Sequence, residues 1–264
     1  VLLKGVDNKV AFKILGSDGF GKDARGIVRD DTGKELLQFQ SEHLGMGSFV
    51  FQPEQDRTYT ASVESGGKTK SFNLPLSEEG LTVSATQSAD SICLGIRSTN
   101  IQPEQISIIG QSRHSVCYAL DGVRRNEIEE VVIPKNKFPT GIAQFTLFKE
   151  GKPVSERLIF IDRKDDLKIE MVPDKNEYGD REKIRLAMKV TDETDKPVEG
   201  SFSLSVTDDK VVSPSIDVHN IKGSLLLEAD LKGYIENAGW YFAGNEAERM
   251  EALDLLLSTQ GWRR

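Results

Sequence analysis

The sequence predicts an all-β chain, a tandem row of β-sandwich domains with a short helical extension at its C-terminal end. Three observations carry that. Apolar residues alternate with polar ones along much of the chain, as in Val10, Phe12 and Ile14 or Ile184, Leu186 and Met188; a period of two buries one face of a strand. Turns rich in Gly, Asp and Pro cut these runs at regular intervals, as a sandwich of short strands requires. Polar turns of related sequence, TGKE, EGKPV and TDKPV, recur once in each third of the chain, the mark of a module repeated at ~80–90 residues.

Residues 1–80 read as the first sandwich. Val10, Phe12 and Ile14 lead into the loop GSDGFGKD. A strand over 26–29 runs into Asp31-Thr32-Gly33, then Leu36, Leu37 and Phe39. Gly45 and Gly47 bracket Met46 ahead of Phe49 and Phe51, and Tyr59, Ala61 and Val63 precede a Gly66-Gly67 hairpin turn.

Residues 81–164 read as the second sandwich, with strands over 81–85, 92–97, 105–109, 115–120, 129–133, 141–148 and 156–161. Leu158, Ile159, Phe160 and Ile161 are apolar on both faces, which predicts a central strand. The charge run Arg163-Lys164-Asp165-Asp166 marks a boundary.

Residues 165–212 read as a third sandwich, partial or interrupted. It comprises a strand, a loop with Asp174, Lys175 and Tyr178, a second strand, the polar turn 192–197, and a third strand with Phe202, Leu204 and Val206 on one face.

Residues 213–264 change character and read as a helical extension packing on the third domain. Asn220 is placed to cap a short helix. Trp240, Tyr241 and Phe242 cluster before Gly244. Asn245 and Glu248 then have capping-box spacing, Met250, Leu253, Leu256 and Leu257 recur at helical spacing, and Gly261 stands where a C-terminal cap would. The leucine stripe requires a covering surface.

Composition narrows the function classes. The chain has 264 residues, enough for two or three domains, with 38% hydrophobic and 29% charged residues, a globular balance. The net charge of −8 argues against nucleic acid, since the basic clusters are only Arg124-Arg125 and the terminal pair. No apolar run reaches the ~18 residues of a transmembrane helix. The abrupt start at VLLKG is expected of a piece of a longer protein.

No constellation makes a strong case for catalysis, a metal or a cofactor. The sequence Gly110-Gln111-Ser112-Arg113-His114 follows an apolar strand and has half the pattern of a nucleophile elbow, but His114 replaces the second glycine and strand sequence follows. A β-turn is expected. His43, His114 and His219 are too dispersed for a local metal motif. The loop over 16–26 lacks phosphate-binding spacing, and Asp18, Asp23, Asp30 and Asp31 lack EF-hand spacing. The adjacent carboxylates Glu129-Glu130 and Asp165-Asp166 point to opposite faces of extended chain. Cys93 and Cys117 lie in strand-like runs and read as buried thiols, with a disulfide between neighbouring strands as the alternative.

Several of these stretches resemble one family. Asp174-Lys175 with Tyr178, the run REKIRL, the KPVEG turn and SLSVTD are similar to the macroglobulin-like domains of the alpha-2-macroglobulin superfamily, an immunoglobulin-like sandwich. HLGMGSFVFQP from His43 and the segment from Leu225 onward resemble the large cell-envelope proteins of Bacteroidetes-type bacteria. The likeness covers nearly the whole chain, and on it His43 is expected to order its turn by hydrogen bonding. Neither cysteine stands in the Gly-Cys-Gly-Glu-Gln thioester motif of the superfamily, so covalent trapping of a protease is not implied.

The resemblance implies a non-catalytic structural and interaction segment of the periplasm or outer membrane, in proteins that often continue into a region similar to the plug of TonB-dependent receptors. Its partners would be a protein or the flanking domains of the parent chain. The alternative is a glycan- or peptide-binding module, which requires Tyr59, Tyr118, Trp240 and Tyr241 to line one groove. A hydrolase requires Ser112 and His114 within hydrogen-bond reach of each other, with a carboxylate behind.

Overall fold

The computed structural model describes all residues except 101, 127, 209, 213–218 and 262–264. The described residues form an all-β structure of sandwiches with a helical C-terminal segment. Two compact units are present, Val1–Ile161 with Ser215–Arg264, and Asp162–Pro214.

The first unit begins with β1 (Leu2–Leu3), β2 (Asn8–Lys13), β3 (Arg25–Asp30), β4 (Glu35–Gln40), β5 (Met46–Phe51), β6 (Tyr59–Ser65), β7 (Lys68–Asn73) and β8 (Leu76–Ser77). A four-stranded sheet, β4-β3-β6-β7, accompanies the pair β2-β5 and a short parallel pair β1-β8. Alternate residues of β6, Tyr59, Ala61 and Val63, are buried with Val28, Phe39 and Phe51. Phe39 lies between Phe12 and Phe49, at 5.0 and 4.7 Å. Gly26 is required beneath it, because a Cβ there would meet the Phe39 ring at 2.2 Å.

A second sandwich follows: β9 (Leu81–Gln87), β10 (Ser91–Ser98), β11 (Glu104–Ser112), β12 (Ser115–Arg124), β13 (Ile128–Pro134), β14 (Gly141–Lys149) and β15 (Lys152–Ile161). Its sheets are β13-β10-β9 and β12-β11-β14-β15. Ile92, Leu94 and Ile96 alternate fully buried along β10 and pack with Ile106, Ile108, Phe138 and Phe145. Arg124 is also fully buried. It donates to Asn100 O and Gln102 O at 2.7 Å each and to Glu104 Oε1 at 2.9 Å. Burial opposes ionisation of Glu104, but hydrogen bonds from Lys149 and Arg124 hold its carboxyl below the usual range.

The C-terminal segment contains α1 (Ile221–Gly223), continuing as a π turn over Ser224–Glu228, a 3₁₀ turn at Trp240–Phe242, and α2 (Glu246–Thr259). Asn220 and Asn245 cap the two helices, accepting from Gly223 N–H at 2.8 Å and Ala247 N–H at 2.9 Å. The segment was expected to pack on residues 165–212; its apolar side chains instead join the first two sandwiches. Leu227, Ile235, Tyr241, Leu253, Leu255, Leu256 and Leu257 share one core with Met46 of β5, Ile142 of β14 and Leu158 and Phe160 of β15.

That core also corrects the reading of β15, which is an edge strand of its sheet. Its two apolar faces have separate uses. Ile159 and Ile161 fill the second sandwich, while Leu158 and Phe160 meet the helical segment. Asp254 of α2 ties the arrangement together, pairing with Lys9 of β2 and Arg157 of β15.

The second unit holds one antiparallel pair, β16 (Lys168–Pro173) with β17 (Leu186–Thr191). The expected third strand is not formed. Residues 201–208 have no ladder partner, and Phe202, Leu204 and Val206 are exposed. Alternation supplied the pattern of a strand here without the neighbouring strands that would cover it. The DKxxY stretch closes the connecting loop. Tyr178 Oη donates to Asp174 Oδ1 at 2.6 Å and accepts from Lys175 N–H at 3.0 Å.

The recurrent turns are partly one structure. Asp30 accepts from Thr32 N–H, Thr32 Oγ1 and Lys34 N–H at 3.0, 2.6 and 3.0 Å. Asp192 accepts from Thr194 N–H, Thr194 Oγ1 and Lys196 N–H at 2.8, 2.8 and 3.0 Å. The fourth residue of each turn, Gly33 or Asp195, has positive φ. The turn at EGKPV differs, being a tight hairpin with Glu150 and Gly151 both at positive φ.

Candidate interaction surfaces

The turn with the look of a nucleophile elbow is the two-residue connection of β11 to β12. Arg113 and His114 have φ of 46° and 68°, the twist a tight hairpin needs. Ser112 is buried, and its hydroxyl donates to Ile142 O at 2.9 Å. Among the described residues no hydrogen bond joins Ser112 to His114. Arg113 reaches the C-terminal segment instead, approaching Asp230 at 3.8 Å and Leu225 O at 3.4 Å.

Cys93 and Cys117 are both free thiols, half-buried on opposite sheets of the second sandwich. No group of three or more His, Cys, Asp or Glu side chains with metal-binding geometry occurs among the described residues. None of their helices is long and apolar enough to cross a membrane, which says nothing of β-barrels.

The aromatic residues singled out in the sequence do not converge. Tyr59 fills the first sandwich, Tyr118 packs on the core of the second, and Trp240 and Tyr241 belong to the core beneath the helical segment. The common groove required for the binding-module alternative is therefore not formed by these four.

His43 differs from expectation. The tight turn after it is ordered by the backbone, with Met46 N–H donating to His43 O at 2.8 Å and Leu44 and Gly45 both at positive φ. Gly45 is needed there, since a Cβ would lie 2.4 Å from Ile14 O. The imidazole stacks on Trp240 at 4.2 Å and meets the edge of Tyr241 at 5.4 Å. Its Nε2 is buried without a hydrogen-bond partner among the described residues. Burial pushes its pKa below the usual imidazole value, against the pull of the Glu236 carboxylate. Burial likewise raises the Tyr241 phenol. Sequence reasoning found His43 but not its partner, because Trp240 is remote in the chain.

A second junction of these elements leaves space. A cavity of about 320 Å³ opens between the loop after β2, the turn 232–236 and the end of α2. The loop is ordered: Leu15 bridges to Gly21, Gly16 N–H donates to Phe20 O at 2.9 Å, and Glu236 Oε2 accepts from Gly21 N–H at 2.9 Å. Tyr234 of the lining meets the edge of Phe20 at 6.1 Å, and the two remain exposed, by 57% and 45%. Inside, Lys13 Nζ donates to Gln260 Oε1 at 3.0 Å. Gln260 Nε2 donates to Tyr234 O at 2.9 Å and Lys232 O at 3.3 Å. Burial lowers the Lys13 pKa, and Glu236 opposes that. None of these cavity residues was singled out from the sequence, where only the glycine-rich loop was conspicuous.

No family model matches the chain, and no curated protein sequence matches it. Among solved structures, domains 3 and 4 of rat CD4 are similar at 10% identity and a TM-score of 0.23, over 60% of this chain and 96% of that one. The native conformation of E. coli alpha-2-macroglobulin is similar at 10% identity and a TM-score of 0.25, over 73% of this chain but only 16% of that protein. Ruminococcus gnavus beta-glucuronidase is similar at 12% identity and a TM-score of 0.23, over 62% and 36% respectively. At these scores the neighbours carry no functional argument.

Proposed function

We propose that this chain is a structural and interaction segment of a larger bacterial cell-envelope protein, of macroglobulin-like type, working in the periplasm or at the outer membrane. Its role is to space and present other modules to a protein partner or to flanking domains. The single observation that carries the structural part is the shared core of the first unit. The segment from Asn220 onward buries Leu227, Leu231, Leu253, Leu255, Leu256 and Leu257 against β5, β14 and β15 at once, and Asp254 pairs with both sandwiches. Two sandwiches clamped this way act as one rigid body, which suits a spacer. The envelope assignment rests on the sequence resemblance.

Native-state hydrogen exchange in mild denaturant tests the clamp. Amides of β3, β10 and α2 are expected to merge into one unfolding isotherm. Independent opening of the two sandwiches would sink the spacer reading. Fractionation of source cells with an antibody to this chain tests the location, and recovery in the cytosol would overturn it.

A further inference from the structure

We propose that the cavity between the loop after β2 and the turn 232–236 binds a small molecule carrying a carboxylate, an adjacent N–H donor and a bulky apolar side chain. That chemistry belongs to an aromatic α-amino acid or to the C-terminal residue of a short peptide. The inference is independent of the spacer reading.

The volume of about 320 Å³ lies in the range of small-molecule sites, about 300–1,000 Å³. Its charges are separated and underused. An ammonium has three donors, and Lys13 gives one to Gln260. Among the described residues no other hydrogen bond to Lys13 occurs, and the ammonium of Lys232 on the facing turn has no ion pair. Gln260 is itself fixed by two backbone carbonyls of that turn, so it holds Lys13 in one pose. Glu236 commits one oxygen to Gly21 N–H and has its other for a ligand. Leu15 and Tyr234 are exposed apolar groups of the lining, and the exposed Phe20 meets the edge of Tyr234 beside it.

The lining dictates the ligand by elimination. Two lysines and one glutamate make the site net cationic, so a carboxylate fits beside Lys13 and Lys232. The Glu236 carboxylate repels a phosphate dianion and attracts an ammonium or amide N–H. With a neutral sugar Lys13 keeps only the pull of Glu236, and Lys232 gains no counter-ion. The exposed aromatic pair takes an apolar side chain and orders it by edge contacts.

Isothermal titration of the whole chain tests this with phenylalanine, glycyl-phenylalanine, N-acetylphenylalanine and phenethylamine. Saturable binding of phenylalanine or glycyl-phenylalanine is expected, and which of the two binds more tightly identifies the source as free amino acid or peptide end. Phenethylamine, which lacks the carboxylate, should bind at least about tenfold more weakly, the worth of one charge-assisted hydrogen bond. Lys13→Met should lose a similar factor for every carboxylate probe. Glu236→Gln should weaken phenylalanine more than N-acetylphenylalanine. Tyr234→Ala alters a mostly exposed side chain, and with its thermal midpoint unchanged a loss of affinity there is a loss at the site. No saturable binding of any probe up to about 10 mM, or full affinity in both Lys13→Met and Tyr234→Ala, would overturn the proposal.

Discussion

Two turns of this chain have the same structure, and their surroundings differ: one joins β3 to β4, the other follows β17. Asp30 in the first sandwich and Asp192 in the unit Asp162–Pro214 each gather the same three donors from Thr and Lys at the same spacing. Beside the first turn, Val28 and Phe39 are buried in a core that draws on both sheets. Beside the second, Met171 lies opposite Met188 across β16 and β17, with Ile169 opposite Val190 and Leu186 opposite Pro173, and Ile169, Met171, Leu186 and Met188 are all exposed. A side chain chelating its own backbone is enough to turn a chain. Covering the hairpin takes further strands, and an isolated strand pair is marginal in water.

The largest break in this comparison should come from charge. Arg124→Met leaves Glu104 in a half-closed site with Lys149 as its remaining cation, and losing one partner of a buried pair costs about 4 kcal/mol. Lys175→Met removes the exposed ion pair with Glu182 in the other unit and should leave the denaturation midpoint unchanged. Urea unfolding followed by separate probes in the two units measures both. Equal effects would show that exposure does not distinguish the regions.

A smaller gap is expected for apolar truncation. Leu256 is buried in the core shared by both sandwiches, so Leu256→Ala should cost about 3 kcal/mol. Met188→Ala, on the exposed face of β17, should cost less than about 0.5 kcal/mol. A Met188→Ala cost near that of Leu256→Ala would mean that the hairpin is covered in solution, for instance by residues 201–208.

These contrasts mark what could be read in the sequence. Alternation with Gly and Asp turns placed the strands of the two sandwiches, because each such strand has one face on a core and one in water. The same alternation at Phe202, Leu204 and Val206 misled, since periodicity records what a strand could bury and not whether a neighbour exists. Leu158 to Ile161 misled differently. Two apolar faces signalled double cover, but the second cover is α2 and not another sheet. Helical spacing and Asn caps disclosed α2 itself, while its docking site depended on Met46 and Ile142, far away in the chain. The cavity was invisible for the same reason: Lys13, Tyr234 and Gln260 meet only after the segment has docked.

The subtlest separation of the two units should be by pH. The histidines of the chain are His43, His114 and His219, so Asp162–Pro214 contains none. His43 is stacked on Trp240 and held below its ordinary pKa of 6.5, chiefly by burial, with the Glu236 carboxylate opposing. Below 6.5 the unfolded chain therefore takes up a proton that the folded state resists, and stability falls. The contribution is complete above 6.5 and is lost as pH drops through the depressed folded value. Thermal unfolding of the first unit should shift downward over that window, while a probe in β16–β17 should not move with it. His43→Phe keeps an aromatic ring against Trp240 and removes the titration, so its unfolding temperature should lose this pH dependence. An unchanged slope in His43→Phe would assign the effect to carboxylates instead, and the imidazole stack would then be packing without a proton-linked role.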